Sequence, residues 1–138
     1  SGESLAEAVA AVAAYGPAAL LVNCVPARDM HRVFRILRSH SPVPCGCYAN
    51  TGDPGSAGEE AIRRDVDIEG FVKASRAWVA DGARIVGGCC GTTPAHIEAL
   101  VLAHVPETLA FQKAEIAAWF EERYGRQPEA DLSTSPSH

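Results

Sequence analysis

Hydrophobic positions along the chain form two alternating patterns. Short continuous apolar runs are typical of strands that are buried on both faces of a sheet. Longer segments with an apolar residue every three or four positions predict helices. The predicted strands are 18–23, 43–49 and 83–87, and the predicted helices are 5–15, 29–38, 68–81, 96–104 and 109–124. Because strands that alternate with helices are typical of a parallel sheet, the pattern predicts an α/β fold.

Local signals mark the starts of two of these helices. Ser4 and Glu7 fit the capping box that opens a helix. Thr93 followed by Pro94 fits an N-cap with proline at the first helical position. The backbone amides at that second helix start could attract a carboxylate, although an ordinary N-cap explains the same residues.

Two segments lack either hydrophobic pattern. The chain is polar from Asn50 to about Asp67, and a loop of this length is typical of an active-site lid or a disordered insertion. The composition after Gly125 predicts a disordered tail. We therefore expect one domain over residues 1–125 and a tail over residues 126–138.

Composition narrows the class of protein. The chain has 138 residues and a net charge of −5, with both signs interspersed, which indicates neither nucleic acid nor an anionic membrane as a partner. No apolar run reaches the roughly 18 residues that a membrane span needs. No basic segment precedes the first apolar stretch, as it would in a signal peptide. We therefore expect a cytoplasmic protein.

Three cysteines and an asparagine stand at the carboxyl ends of the predicted strands. Cys24 follows the first strand, Asn50 follows the second, and Cys89 and Cys90 follow the third. Because parallel strands end at the same edge of a sheet, where ligand sites form, we expect these residues to converge.

The three cysteines offer a soft ligand set. In a reducing compartment, cysteines are more often buried, metal-binding or catalytic than disulfide-bonded. Three thiolates suit zinc, and three protein ligands with an open fourth position form the catalytic pattern. Glycines around the adjacent pair would permit the sharp turn that both ligands need; they are Gly87, Gly88 and Gly91. Spacing alone leaves open that all three cysteines are small packing residues.

Other polar residues carry weaker hypotheses. Asn23 and Asn50 could bind substrate or orient the cysteine loops, or they could simply cap a strand end. Cys45 and Cys47 lie two apart on one strand and so face the same side, where we expect them to pack in the core.

Several large or titratable side chains have no expected chemical role. We expect His96 and His104 on a helix surface. We expect aromatic core anchors at Trp78, Trp119 and Phe120.

Three short motifs carry a resemblance to a known family. They are NC at 23–24, YAN-G at 48–52 and GARIVGGCCGTTPAHI at 82–97. In this order they resemble the zinc-dependent homocysteine S-methyltransferase family. The resemblance implies zinc thiolates at Cys24, Cys89 and Cys90 and methyl transfer to the zinc-bound thiolate of homocysteine, giving methionine. It also implies S-methylmethionine, S-adenosylmethionine, betaine or methylfolate as the methyl donor.

The family fold implied by the resemblance is a (β/α)₈ TIM barrel, which takes about 250 residues. The strands predicted here correspond to the last three of eight. We therefore expect the C-terminal three βα units of such a barrel, incomplete and followed by a C-terminal helix. A complementing N-terminal half would supply the methyl-donor contacts, and without it the chain should expose apolar surface.

Three functions remain open on the sequence. The first is the zinc-bearing part of a homocysteine S-methyltransferase. The second is a non-catalytic zinc-binding fragment, or remnant, that needs a partner chain for activity. The third is a thiol redox protein, which is disfavoured because the chain lacks a Cys-x-x-Cys pair.

Overall fold

The computed structural model describes residues 2–53, 65–105 and 110–125 of the chain. Within these ranges it contains three strands and five helices, in the order that the hydrophobic pattern predicts. The elements are α1 (Leu5–Ala13), β1 (Leu20–Pro26), α2 (Ala27–His40), β2 (Cys45–Asn50), α3 (Ile68–Ala80), β3 (Ile85–Gly88), α4 (Pro94–His104) and α5 (Ala110–Tyr124). The prediction of an α/β fold is confirmed.

The strands form a parallel sheet in the order β1-β2-β3. Leu21 pairs with Gly46, and Gly46 pairs with Ile85, so these three residues form one row across the sheet. Gly46 is needed in that row because a Cβ atom there would lie 2.7 Å from the Cβ of Ile85. The β1–β2 register is irregular between Asn23 and Pro26, close to the carboxyl edge.

Helices cover one face of this sheet. Val22 of β1 pairs with Cys47 of β2, and both belong to the buried hydrophobic core. The helices contribute large apolar side chains to the same core: Met30, Phe34, Leu37, Phe71, Trp78 and Leu100. Because side chains alternate across a strand, Leu21 and Ile85 face the opposite side. Ile85 is 43% exposed there.

The predicted helix starts are confirmed. Ser4 Oγ accepts the Glu7 amide at 3.2 Å, and the Ser4 amide donates to Glu7 Oε2 at 2.7 Å, which completes the capping box. Helix α4 begins at Pro94 with Thr93 as its N-cap. Both helices therefore start at the positions that their capping residues indicate.

Two predictions about histidines on helix α4 are wrong. His96 is only 7% exposed and packs edge-on against Phe71 with ring centroids 5.7 Å apart. His104 is half-buried, and its Nε2 lies 2.9 Å from Ser75 Oγ on α3. The prediction of surface histidines is wrong because residues four apart share a helix face, and this face of α4 packs on α3.

The predicted aromatic anchors divide between core and surface. Trp78 is 1% exposed and is a core residue as expected, whereas Trp119 is 52% exposed. Helix α5 packs on α4 rather than on the sheet. Trp119 stacks edge-on with half-buried Phe120, with 5.1 Å between their ring centroids. Neither residue belongs to the hydrophobic core cluster, so the prediction of a core role is wrong for both.

The segments without a hydrophobic pattern fall largely outside the described ranges. The predicted tail over 126–138 and residues 54–64 of the predicted loop lie there. Among the helices that the structure describes, none has both the length and the apolar character of a bilayer span.

Candidate metal centre

Cys24 lies where β1 leaves its regular register. Its φ angle of 56° is the only positive value among the described non-glycine residues. This left-handed conformation is unfavourable for a residue with a Cβ atom, and such strain is often found at functional sites. The irregularity turns the exposed Cys24 side chain toward the end of β3, as bulges near active sites commonly do.

Cys89 and Cys90 occupy a tight turn directly after β3. The Cys89 carbonyl accepts the Thr92 amide at 3.2 Å, and Gly91 takes a φ of 80° inside the turn. Gly91 is therefore the glycine that the turn requires. The sequence had suggested that Gly87 and Gly88 also form this turn, but in the structure they belong to β3.

The structure brings the three cysteines together. The Cys24 and Cys89 sulfurs are 2.9 Å apart, those of Cys24 and Cys90 are 4.0 Å apart, and those of Cys89 and Cys90 are 3.8 Å apart. All three sulfurs lie within 4.8 Å of one another. Since Cys24 is 65 residues from Cys89 in sequence, the parallel sheet is what creates this cluster. We call Cys24, Cys89 and Cys90 the thiol cluster.

Both candidate asparagines contact the thiol cluster. Asn50 is 2% exposed, and its Oδ1 accepts the Cys90 amide at 3.1 Å. Asn23 is exposed, and its Nδ2 donates to the Cys24 sulfur at 3.6 Å. Asn50 therefore holds the backbone of the cysteine turn, whereas Asn23 lies on the solvent side of the cluster.

The end of β2 also holds the cysteine turn through its main chain. The Cys89 amide donates to the Ala49 carbonyl at 2.8 Å, and the Thr51 amide donates to the Cys90 carbonyl at 3.1 Å. These bonds involve no side chain, so no residue type in the sequence could have indicated them. The Thr92 hydroxyl, 2.7 Å from the Cys89 carbonyl oxygen, is a further contact that the sequence analysis missed.

The hydrogen bond between the Cys24 and Cys89 thiols shifts their pKa values in opposite directions. The bond between the two sulfurs raises the pKa of Cys24 to about 11 and lowers the pKa of Cys89 below its ordinary value. The shared hydrogen bonds thus favour the charged form of Cys89 and the neutral form of Cys24.

The thiol cluster fits zinc in ligand chemistry and closely in spacing. Thiolate is a soft ligand that zinc prefers. Tetrahedral zinc with Zn–S bonds of about 2.3 Å separates its sulfurs by about 3.8 Å. Two of the three separations match this value, and the third, 2.9 Å between Cys24 and Cys89, requires these two side chains to move apart.

Cys45 and Cys47 lie outside the thiol cluster. They are 1% and 0% exposed and belong to the hydrophobic core, as predicted. Burial raises the pKa of the Cys47 thiol to about 12. Both side chains are therefore packing residues.

The start of α4 is occupied by its own cap. The Thr93 amide donates to His96 Nδ1 at 3.2 Å, and the Thr93 hydroxyl lies 3.0 Å from the same nitrogen. These contacts favour the ordinary N-cap over the carboxylate site that the sequence left open.

The two described ends of the long polar segment meet at the start of α2. The Arg28 guanidinium binds the carboxylates of Asp53 and Asp65, the latter at 3.0 Å. Because the residues between these ends lie outside the described ranges, the lid remains a prediction.

Comparisons with known proteins agree with this site. The family model for homocysteine S-methyltransferase matches residues 1–104. Selenocysteine methyltransferase from Astragalus bisulcatus is 35% identical over 97 residues, which cover 66% of this chain and 26% of that protein. Homocysteine S-methyltransferase 3 from Zea mays is 35% identical over 103 residues, which cover 72% of this chain and 30% of that protein.

A solved structure gives the same result. The crystal structure of the homocysteine methyltransferase MmuM from Escherichia coli, in its metallated form, matches with a TM-score of 0.55 and 31% identity. The match covers 72% of this chain and 29% of that one. The chain thus spans about a quarter to a third of the length of these relatives. Since the family model matches most of its length, the chain belongs to the homocysteine S-methyltransferase family.

Proposed function

We propose that this chain is the zinc-bearing, C-terminal part of a homocysteine S-methyltransferase, which transfers a methyl group to the sulfur of homocysteine to give methionine. The observation that carries the proposal is the convergence of the Cys24, Cys89 and Cys90 sulfurs within 4.8 Å of one another. Family membership supports the same reaction class, and the metallated state of the MmuM structure supports a metal at this position.

Under this proposal the three cysteines hold zinc as thiolates. Bound zinc would act as a Lewis acid that keeps the homocysteine thiol deprotonated near neutral pH, where a free thiol with a pKa of about 8.5 is mostly protonated. The protein's own part is to hold three negative ligands around one open position. Their charge exceeds that of the zinc ion, which favours a nucleophilic substrate sulfur over a quenched one.

The two asparagines have different proposed tasks. Asn23 is exposed beside Cys24, so its amide is available to a substrate at the open position. Asn50 is buried, and its Oδ1 is committed to the Cys90 amide. We therefore assign substrate contact to Asn23 first, and to Asn50 only through the nitrogen of its side-chain amide.

The remainder of the active site would come from additional polypeptide. We propose that the three βα units are the last three of a TIM barrel, formed by a domain over residues 1–125. The face of the sheet opposite the described helices, where Ile85 is 43% exposed, supports this because barrel interiors are filled by side chains from all strands. The complementing N-terminal half would bind the methyl donor in a cytoplasmic enzyme of methionine biosynthesis.

A metal and activity assay tests the proposal. The purified chain is loaded with zinc, and its metal content is measured before and after single Cys→Ser changes at all five cysteines. Methyl transfer from S-methylmethionine, S-adenosylmethionine, betaine or methylfolate to homocysteine is then measured with the chain alone and with the complementing N-terminal half co-expressed. We expect one zinc per chain and transfer only in the complemented sample.

The outcomes separate the competing functions. Zinc binding that depends on Cys24, Cys89 and Cys90, together with methyl transfer in the complemented sample, supports the enzyme. Zinc binding without transfer in either sample overturns it in favour of a non-catalytic zinc-binding fragment, which the sheet face opposite the described helices also suits. A chain that binds no zinc, or loses it only when Cys45 or Cys47 is changed, overturns both.

A further inference from the structure

The peptide backbone of Cys89 and Cys90 is hydrogen-bonded at all four of its polar groups. Three of the partners lie in residues 49–51 at the end of β2: the Ala49 carbonyl, the Asn50 side chain and the Thr51 amide. These three contacts hold both amides and the Cys90 carbonyl. The fourth group, the Cys89 carbonyl, is held from within the turn.

Thr92 holds the Cys89 carbonyl twice. Its amide donates to that oxygen at 3.2 Å, and its hydroxyl donates to the same oxygen at 2.7 Å. The amide bond is at the long end of the normal N–H···O range, whereas the hydroxyl bond has the most common O–H···O length. The hydroxyl is therefore the stronger of the two restraints on the peptide plane that joins Cys89 to Cys90.

The orientation of this one peptide plane matters for adjacent ligands. Two neighbouring cysteines can reach one metal ion only if the backbone between them turns their Cβ atoms toward the same point. In this turn their sulfurs are 3.8 Å apart, which equals the separation of about 3.8 Å in a tetrahedral zinc–thiolate site. A rotation of the peptide plane would change that separation.

The strand before the turn leaves room for Thr92. A Cβ atom on Gly88 would lie 2.7 Å from the Cβ and 2.6 Å from the Cγ2 of Thr92, and it would overlap the hydroxyl oxygen more closely still. Gly88 does not take a positive φ angle, so its backbone conformation does not require glycine. The close approach of the Thr92 side chain does require it.

We propose that Thr92 is a positioning residue that sets the relative orientation of Cys89 and Cys90 as ligands to one metal ion, with Gly88 leaving space for it. This inference rests on the proposed zinc site. Thr92 acts through the Cys89 carbonyl, to which its hydroxyl donates. Partners one step beyond the ligands commonly change metal affinity by about 10- to 100-fold when removed.

The adjacent threonine provides a matched control. Thr92→Val removes the hydroxyl and keeps the branched shape of the side chain, whereas Thr92→Ser keeps the hydroxyl. Thr93→Val makes the same change one residue later, where the hydroxyl contacts His96 in the cap of α4 instead of the cysteine turn. Gly88→Ala displaces Thr92 by steric overlap without altering its hydroxyl.

The experiment measures zinc affinity by competition with a chromophoric chelator and ligand geometry by the visible absorption of the Co²⁺-substituted protein. We expect Thr92→Val and Gly88→Ala to weaken zinc binding by about tenfold or more and to shift the Co²⁺ bands. Thr92→Ser should match the unchanged chain in both readouts. Thr93→Val should lower the stability of the metal-free chain and leave both metal readouts unchanged.

Each outcome decides one claim. If Thr92→Val and Thr93→Val change zinc affinity and the Co²⁺ bands equally, or not at all, the positioning role is overturned while the zinc site stands. If the unchanged chain itself binds no zinc, the proposed function fails first. Should Thr92→Val not fold, the comparison of Gly88→Ala with Thr92→Ser gives the same decision, since only Gly88→Ala displaces the hydroxyl.

Discussion

The five cysteines divide into two groups of opposite character: the buried pair Cys45 and Cys47, and the thiol cluster. Cys45 and Cys47 lie within the paired part of β2 and are buried. The thiol cluster lies at the register irregularity of β1 and in the turn after β3, with Cys24 exposed. The residue type is the same in both groups, so the position in the sheet determines whether a thiol packs in the core or joins the thiol cluster.

The physical difference arises from the surroundings of each thiol. Inside the strand, side chains alternate between faces, so Cys45 and Cys47 share the face that the helices cover. Desolvation there raises the pKa of Cys47 to about 12, which keeps it protonated and inert. At the irregularity of β1 and in the turn after β3, the regular hydrogen-bonded ladder is interrupted, and each backbone can turn its thiol toward the others.

The largest expected effect is on metal binding. Cys89→Ser removes a soft ligand that contacts both other thiols. We expect it to weaken zinc binding by more than about 100-fold, beyond the range for partners that act through a ligand. Cys45→Ser is the matched control, because a serine hydroxyl can still donate to the Val43 carbonyl as the Cys45 thiol does. Isothermal titration of the metal-free variants measures both; equal losses in the two variants would contradict the division.

The second prediction concerns folding, where the core cysteines should matter more than the thiol cluster. Cys47→Ser places a hydroxyl in the apolar core, where the thiol has no hydrogen-bond partner among the described residues. We expect the free energy of unfolding of the metal-free chain to fall by about 1–3 kcal/mol. Cys24→Ser, at an exposed position, should change it by less than about 0.5 kcal/mol. Urea unfolding monitored by circular dichroism tests this, and a larger loss for Cys24→Ser would count against it.

Thiol accessibility gives a third, smaller contrast. In the metal-free native chain, we expect a maleimide reagent to modify Cys24, Cys89 and Cys90 within minutes, because they are exposed or half-buried. Cys45 and Cys47 should react only after denaturant is added, because they are fully covered. Peptide mass mapping identifies the modified sites. Zinc should protect the thiol cluster from modification and should not change the reactivity of the two core cysteines.

Much of this arrangement is already present in the hydrophobic pattern. The alternation of short and periodic segments gives every strand and helix in the right order, and the rule that parallel strands end at one edge places Cys24 near Cys89. The first rests on local sequence, and the second on the parallel sheet that the first predicts. The helix starts at Ser4 and Thr93 are equally local, since a cap needs only residues within one turn.

The features that the sequence did not indicate depend on neighbours from elsewhere in the fold. His96 is buried because α4 lies on α3, and its own helix pattern cannot report which face finds a partner. Trp119 is exposed for the converse reason, because α5 packs on α4 and leaves this side chain uncovered. The hold of Asn50 on the cysteine turn needs the register of β2 against β3, which residue types do not encode directly.

The smallest expected effect is on how stability depends on pH, which we expect to come from His104 on α4 rather than from the thiol cluster. His104 lies between α3 and α4, where burial, and then the nearby charge of Arg76, lower its pKa below the ordinary value. Ser75 Oγ donates to the Val72 carbonyl at 2.7 Å. Its hydroxyl proton is thus used, so His104 Nε2 must carry the proton that joins the two side chains.

The sign of the pH effect follows from that lowered pKa. Below about pH 6.5 the unfolded chain takes up a proton on this imidazole before the folded chain does. Stability is therefore complete above pH 6.5 and falls as the pH decreases toward the lower folded value. We expect His104→Gln, which can still donate to Ser75, to flatten the decline in urea midpoint between pH 7 and 5. Cys24→Ser should leave that decline unchanged, because the pKa of Cys24 is about 11 and lies far outside this range. A decline that survives His104→Gln and disappears in Cys24→Ser would assign the acid sensitivity to the thiol cluster and reverse the contrast drawn between the two regions.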